Sequence, residues 1–172
     1  MFKRVDANID LPSVESEISA YWDKINAFET SVENRKNDKT FRFYDGPPFP
    51  TGSPHYGNLL AGVIKDIVPR YWTMRGYYVE RRFGWDVHGL PIEMEVQKKL
   101  NLEDPQQIDE YGIDKFNEAC RSQVQTNTEN WEKITRKIGR WVDFENDYKT
   151  MDIEFMESVW WVFKELWSKD LI

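Results

Sequence analysis

Residues 41–58, which read FRFYDGPPFPTGSPHYGN, decide the fold that this chain is expected to adopt. The aromatic, alternating run Phe41–Tyr44 predicts a strand. The next ten residues hold four prolines and two glycines, which excludes regular structure and indicates a loop. Apolar side chains then recur at helical spacing from Leu59 to Trp72. The order strand, loop, helix is typical of the turn at which doubly wound folds bind ligands.

A second strand is predicted over Tyr77–Phe83, after a helix that should end at the C-capping residue Gly76. Two strands joined by one helix form a βαβ unit, which implies parallel strands and a right-handed crossover. Pro69 falls inside the helical stripe, and we expect it to kink or divide the helix. The predicted class is therefore α/β, a parallel βαβ unit with additional helices.

The additional helices come from periodic apolar residues on both sides of this unit. Asp10 can cap a helix that extends to about residue 28, and residues 31–40 are expected to form a loop. Beyond the second strand the chain is expected to be helical. The predicted segments there cover residues 91–100, residues 113–138 and a last helix from about Met156 to Trp167 with Asp152 as its cap.

Composition bounds the possible functions. A chain of 172 residues is long enough for one domain with a sizeable core, and its net charge of −7 argues against a dominant nucleic-acid surface. Its one cysteine, Cys120, excludes an internal disulfide and a cysteine-based zinc site within this chain. Neither a signal-peptide core nor a membrane-length apolar run is present. The expected location is the cytoplasm, with no membrane partner.

The start of the predicted first helix could bind a nucleotide. Helix N-termini offer unpaired N–H groups and partial positive charge, which suit phosphate. His55 could donate a hydrogen bond to a phosphate oxygen, Gly57 could leave room for a flat base, and Asn58 could bind a ribose or phosphate oxygen. A histidine at a helix start is more often only a cap or a surface residue. The preceding strand and Gly/Pro loop favour the nucleotide interpretation.

Three stretches resemble one enzyme family. The tetrapeptide His55–Asn58 resembles the "HIGH" signature of the class I aminoacyl-tRNA synthetases. Residues 44–52, YDGPPFPTG, and residues 84–93, GWDVHGLPIE, are similar to segments of the isoleucine-specific members. The resemblance covers nearly the whole chain, and the valine- and leucine-specific members fit less well. A nucleotidyltransferase would share the first signature but has no reason to contain the last segment, and a free-standing nucleotide-binding module is a further alternative.

The resemblance implies the first half of a Rossmann-like catalytic domain over residues 41–172, with residues 1–40 as a helical extension. It also implies ATP-dependent activation of L-isoleucine and transfer to tRNA(Ile). The sequence contains no Lys-Met-Ser-Lys-Ser loop, the family's second ATP signature. Nor does it show the family's editing insertion. We therefore expect an N-terminal fragment that is inactive alone and reaches tRNA(Ile) through the full-length protein.

The resemblance also implies residue roles. His55 and Asn58 would be catalytic and bind ATP together with Gly57. Asp86 would pair with the α-ammonium of isoleucine, although an aspartate in a turn can also be only a cap. Three loop residues would wall the amino-acid side chain: Gly46, Pro47 and Pro48. Mg²⁺ is expected on the ATP phosphates, and zinc is possible in full-length relatives but has no ligands here. Asn58 stands where the family most often has His, which removes a possible positive charge.

Overall fold

A computed structural model describes residues 8–172 of the chain. The helices are α1 (Leu11–Lys24), α2 (Ala27–Glu33), α3 (Tyr56–Met74), α4 (Leu90–Leu100), α5 (Pro105–Tyr111), α6 (Ile113–Lys137) and α7 (Ile153–Trp167), and the strands are β1 (Arg82–Trp85) and β2 (Asp143–Lys149). The chain forms two compact units. The first contains the chain up to Phe43 and Ile67–Glu80, and the second contains Tyr44–Asp66 and Arg81–Ile172.

The prediction of one continuous helix from Asp10 to about residue 28 was wrong. Two helices, α1 and α2, stand where one helix was expected, because Asn26 takes a left-handed conformation with φ of 46° between them. Asparagine adopts this conformation more readily than most residues. The segment from residue 31 is also not all loop, since α2 continues to Glu33.

The predicted strand Phe41–Tyr44 does not form. A single parallel bridge joins Thr40 to Tyr78, with Phe41 N–H donating to the Tyr78 carbonyl at 2.9 Å. The pairing is parallel, as predicted, but a strand needs a repeated ladder of such bonds. The Gly/Pro loop begins at Asp45, and its prolines have no N–H to donate. Phe41 is fixed instead by its ring, which stacks on Trp72 at 4.6 Å.

Helix α3 is not divided by Pro69, contrary to one of the expected outcomes. The helix includes Pro69 and extends to Met74. A proline removes one intrahelical bond, but the neighbouring bonds can persist when the residue is packed, and Pro69 is fully buried. The predicted C-cap is confirmed, since Gly76 has φ of 88° and Tyr77 N–H donates to the Trp72 carbonyl at 3.1 Å.

The second unit contains a two-stranded parallel sheet. Strand β1 begins at Arg82, later than the predicted Tyr77, and pairs with β2, which the helical interpretation of this region missed. The register pairs Gly84 with Tyr148 and contains an irregularity between Arg82 and Gly84. In β2, charged residues at 143, 145, 147 and 149 alternate with uncharged ones, which is the period of a strand. This alternation could have identified β2.

The core of the second unit lies between the sheet and helices α4 and α6. Phe83 packs against Trp85 and Phe144 with ring centroids 4.5 and 4.6 Å away. The buried members of this core are Phe83, Trp85, Val87, Ile92, Val96, Phe116, Val124, Trp131, Val142 and Phe144. Helices α4, α6 and α7 match the predicted segments, and α5 was not predicted. Asp10 and Asp152 occupy N-cap positions, but neither side chain bonds to its helix.

Candidate functional site

The first turn of α3 is closed by reciprocal hydrogen bonds. The Gly57 N–H donates to His55 Nδ1 at 3.1 Å, and the His55 N–H donates to Asn58 Oδ1 at 3.0 Å. This is a variant of the capping box: the N-cap side chain accepts from the second helical residue instead of the third, and the side chain of the third accepts from the N-cap N–H. Residues 55 and 58 therefore fix one another, within four consecutive residues.

This arrangement sets the chemistry of the imidazole. Because Nδ1 accepts a hydrogen bond, the proton of a neutral His55 ring belongs on Nε2, as assigned from the hydrogen-bond pattern. The His55 side chain is exposed at the positive end of α3. Asn58 uses its oxygen on the backbone, so its amide nitrogen is the group left to donate. Both donors suit an anion.

Gly57 has a local reason to be glycine. A Cβ built at this position would lie 2.9 Å from His55 Cε1 and 3.1 Å from Nδ1. Any side chain would therefore press on the capping imidazole. From the sequence, Gly57 is expected to leave room for a base, and in the structure it leaves room for the histidine ring.

The start of the Gly/Pro loop is fixed by charges from distant parts of the chain. Asp45 is paired with Arg140, and both side chains are more than nine-tenths buried. Lys65 Nζ lies 2.5 Å from Asp45 Oδ1, off the direction of a hydrogen bond, since that oxygen has no hydrogen-bond partner in the described residues. The same Nζ donates to the Gly46 carbonyl at 2.9 Å. Sequence reasoning missed both cations, whose positions only the fold reveals.

A pocket of about 210 Å³ lies between the Gly/Pro loop, α3 and α6. Four of the predicted site residues line it, namely Gly46, Pro47, Pro48 and Asn58. Its other walls are both apolar and cationic, with Phe83, Trp131 and Ile138 beside Lys65 and Arg140. The loop is tied to α6 at its far end, where Trp131 Nε1 donates to the Gly52 carbonyl at 2.9 Å. Such a pocket suits a small ligand with an apolar part.

Asp86 follows directly after β1, and its backbone joins the two predicted substrate segments. The Asp86 N–H donates to the Pro48 carbonyl at 2.9 Å. The Asp86 side chain is 43% exposed, and its Oδ1 lies 3.9 Å from His88 Nδ1. The buried Thr150, at the end of β2, has its Oγ1 3.5 Å from the same carboxylate oxygen. Nothing in the local sequence marked Thr150.

Two groups with perturbed pKa values lie near these segments. Burial and the Asp45 charge raise the pKa of the Tyr148 phenol, against the opposing effect of Arg82. The Tyr148 ring lies over β1, where a Cβ on Gly84 would come within 2.2 Å of it, so any side chain at this position would displace the ring. Burial and Glu93 raise the pKa of the Cys120 thiol, which lines a second pocket of about 250 Å³.

Within residues 8–172, no group of three or more His, Cys, Asp and Glu side chains is arranged to hold a metal ion. Among the helices of the same range, none is both long enough and apolar enough to cross a membrane.

Comparison with known proteins identifies the family. The family model described as tRNA synthetases class I (I, L, M and V) matches residues 17–172. The chain belongs to this family. The class I resemblance expected from the HIGH-like signature is therefore confirmed.

Curated relatives of this class I synthetase chain include isoleucine–tRNA ligases. The chain is 52% identical over 172 residues to that of Treponema denticola, covering all of this chain and 16% of the relative. It is 55% identical over 161 residues to the cytoplasmic one of Arabidopsis thaliana, covering 94% of this chain and 14% of the relative. The chain thus spans about one sixth of the length of these relatives.

A solved structure supports the fold. The chain is similar to the LeuRS of Agrobacterium radiobacter K84, solved as a ternary LeuRS–tRNA–LeuAMS complex. The TM-score is 0.66 at 20% sequence identity, over 95% of this chain and 18% of that one. At this identity the likeness concerns the fold alone, and it confirms the predicted α/β class of the synthetase catalytic region.

Proposed function

We propose that this chain is the N-terminal part of an isoleucine–tRNA ligase and supplies the first ATP-binding turn and part of the amino-acid pocket. The observation that carries the proposal is the reciprocal cap of His55 and Asn58, which leaves two side-chain N–H donors unused by the cap at the N-terminus of α3. Identity above 50% to isoleucine–tRNA ligases supports the amino acid. In domain terms, residues 41–172 form the first half of the catalytic domain, and residues 1–40 are an extension.

The reaction follows from what these groups can do. The carboxylate of L-isoleucine attacks the α-phosphorus of ATP, pyrophosphate leaves, and the aminoacyl group of the adenylate then passes to tRNA(Ile). A carboxylate needs no general base, so catalysis rests on positioning and on stabilising developing charge. His55 Nε2–H donates to the phosphate oxygens, Asn58 holds the nucleotide from the same turn, and Gly57 leaves room beside them for adenine.

The amino acid occupies the opposite side of the site in this proposal. Gly46, Pro47 and Pro48 line the 210 Å³ pocket and face the aliphatic side chain. Asp86 pairs with the α-ammonium. The hydrogen bond from its backbone N–H to the Pro48 carbonyl fixes Asp86 beside the loop. An apolar pocket separates isoleucine from valine by only about 1–3 kcal/mol, so editing elsewhere in the full-length protein would complete the specificity.

Mg²⁺ enters with the nucleotide rather than through a protein cage. The α3 N-terminus presents N–H donors, which suit phosphate, whereas Mg²⁺ prefers oxygen ligands and is commonly held by substrate phosphates. We place the protein in the cytoplasm, in line with the name of the Arabidopsis relative. Its partner tRNA(Ile) is bound through the full-length protein.

The test is ATP–pyrophosphate exchange by the full-length protein that carries this segment. We expect exchange that depends on isoleucine and is at least about 10-fold slower with valine at equal concentration, the scale of one methylene in an apolar pocket. Equal or faster exchange with valine or leucine would refute the isoleucine assignment. Exchange that proceeds without any amino acid would refute the synthetase proposal itself.

A further inference from the structure

Thr150 is a buried side chain that contacts the Asp86–His88 segment from the other strand. Its Oγ1 lies 3.0 Å from Val87 N, 2.6 Å from His88 Nδ1 and 3.5 Å from Asp86 Oδ1. Only 6% of the residue is exposed. Three polar groups thus converge on a single hydroxyl at the carboxyl end of β1.

The number of hydrogen bonds that a hydroxyl can donate and accept determines which group its O–H faces. A hydroxyl has one O–H donor and two acceptor lone pairs. The Val87 N–H occupies one lone pair, because a backbone N–H can only donate. When His88 carries its proton on Nδ1 it occupies the second, and the Thr150 O–H then points to the Asp86 carboxylate, which can only accept. This is the arrangement in which all three contacts are satisfied with Asp86 ionised.

The hydroxyl is held rigidly in this position. Thr150 N–H donates to the Trp85 carbonyl at 3.0 Å, which continues the β1–β2 pairing to the residue before Asp86. The following turn is closed by Lys149 N–H donating to Asp152 Oδ2 at 2.7 Å. The Asp86 contact is the longest of the three, and hydrogen bonds in ligand-free sites commonly shorten when substrate binds.

We infer that Thr150 is a positioning residue for amino-acid binding: its hydroxyl, held by Val87 and His88, orients the Asp86 carboxylate that receives the substrate α-ammonium. This inference rests on the proposed role of Asp86. Thr150 does not touch the amino acid. It acts by fixing one oxygen of Asp86, so its loss should weaken only ligands that carry the ammonium group.

The experiment compares Thr150→Val with Thr150→Ser in the full-length protein. Valine matches threonine in shape and lacks the hydroxyl, whereas serine keeps it. Two ligands are titrated: isoleucinol, which has the ammonium, and 3-methylpentanoate, which lacks it. We expect Thr150→Val to weaken isoleucinol about 10-fold, the scale of one hydrogen bond to a charged group, and 3-methylpentanoate less than about 2-fold. Thr150→Ser should bind isoleucinol within about 3-fold of the parent, because the charge-directed bond persists.

Equal weakening of both ligands would overturn the inference, since it would show general damage to the pocket. Unchanged isoleucinol binding in Thr150→Val would do the same. If Thr150→Val does not fold, Thr150→Cys replaces it, with a weak donor of similar size and an expected affinity between those of the other two variants.

Asp86→Asn separates this inference from the proposed function. We expect Asp86→Asn to weaken isoleucinol, and Thr150→Val to add nothing further in the double variant, because both changes remove the same effect. A further loss in the double variant would overturn the role of Thr150 alone. Unchanged isoleucinol affinity in Asp86→Asn would overturn the Asp86 assignment and this inference together.

Discussion

The two halves of the proposed site are held by different kinds of contact. At the helix end, His55–Asn58 is closed by hydrogen bonds between residues two and three positions apart. At the strand end, Asp86–His88 is fixed by Thr150, a residue 62 to 64 positions away. The loop between Asp45 and Pro54 belongs to the second kind, since Arg140 lies 95 positions from Asp45. The nucleotide side is thus held by contacts within four consecutive residues, whereas the amino-acid side is held by contacts between distant parts of the second unit.

The largest expected effect is on the long-range half. Arg140→Met removes the buried partner of Asp45 and leaves a carboxylate that Lys65 alone must compensate. Breaking a buried ion pair from one side costs about 3–5 kcal/mol, and we expect about 3 because Lys65 stays. Amide hydrogen exchange of the full-length protein should show lower opening free energy in peptides carrying β1 and Asp86, with little change in the first turn of α3.

Arg136→Met provides the matched control. Arg136 also pairs with a carboxylate, Glu132, and its guanidinium also lies 5.2 Å from an aromatic ring, as does that of Arg140. Arg136 differs in exposure, with 54% of its side chain accessible against 7% for Arg140. Exposed pairs contribute about 0–1 kcal/mol, so exchange should barely change. Equal effects of the two substitutions would show that burial does not distinguish them and would break the comparison.

The next effect concerns the local half. His55→Ala should lower the rate of isoleucine-dependent ATP–pyrophosphate exchange by at least about 10²-fold, because it removes one donor to the transition state. The KM for isoleucine should stay within about 3-fold, since the amino-acid side does not depend on this turn. A rate close to that of the parent would remove His55 from the mechanism.

His55→Asn distinguishes catalysis from capping. An asparagine at the N-cap can still accept the Gly57 N–H through Oδ1, so the helix end should persist. Its amide N–H stands on a shorter side chain and does not replace the donor at the position of Nε2. We expect a rate as low as that of His55→Ala. Recovery of most of the rate in His55→Asn would mean that the histidine serves mainly as a helix cap.

The position of the local half at a helix start could be predicted because its signals lie within a few residues. A Gly/Pro loop, a histidine at a helix start and a glycine two residues later are all visible in residues 45–58. The same reasoning located α3, α4, α6 and α7, whose apolar periodicity is long. It predicted one continuous helix up to about residue 28. The structure has two helices there, because the left-handed residue Asn26 creates a break that apolar periodicity does not show.

The long-range half could not be predicted in the same way. Strand β2 has one fully buried residue, Phe144, so its apolar signal is weak although its charges alternate. Without β2 there is no reason to bring Thr150 beside Asp86, or Arg140 beside Asp45. The strand expected at Phe41–Tyr44 failed for the same reason, because pairing partners and not local propensity decide whether a ladder forms.

The smallest expected effect concerns Cys120, which lies beside the amino-acid half of the site. Cys120 lines the 250 Å³ pocket together with His88 and Gly89, and burial followed by the Glu93 charge raises the pKa of its thiol. The thiolate is the reactive form, so alkylation of Cys120 by iodoacetamide, followed by mass spectrometry, should reach half of its maximal rate at higher pH than in urea-unfolded protein. An identical pH profile in folded and unfolded protein would show that this region does not shield the thiol.

The same shift fixes the sign of a pH effect on stability. The folded state keeps the Cys120 proton to higher pH than the unfolded state does. The Cys120 thiol therefore makes its full contribution to the free energy of unfolding below the pKa of the unfolded thiol, about 8.5. This contribution declines as the pH rises from there toward the pKa of the folded state. Cys120→Ser should flatten that decline above about pH 8.5 without altering amide hydrogen exchange in the first turn of α3, because the serine hydroxyl does not ionise there. If the decline persists unchanged in Cys120→Ser, another group causes it, and the Cys120 thiol does not report on the amino-acid half of the site.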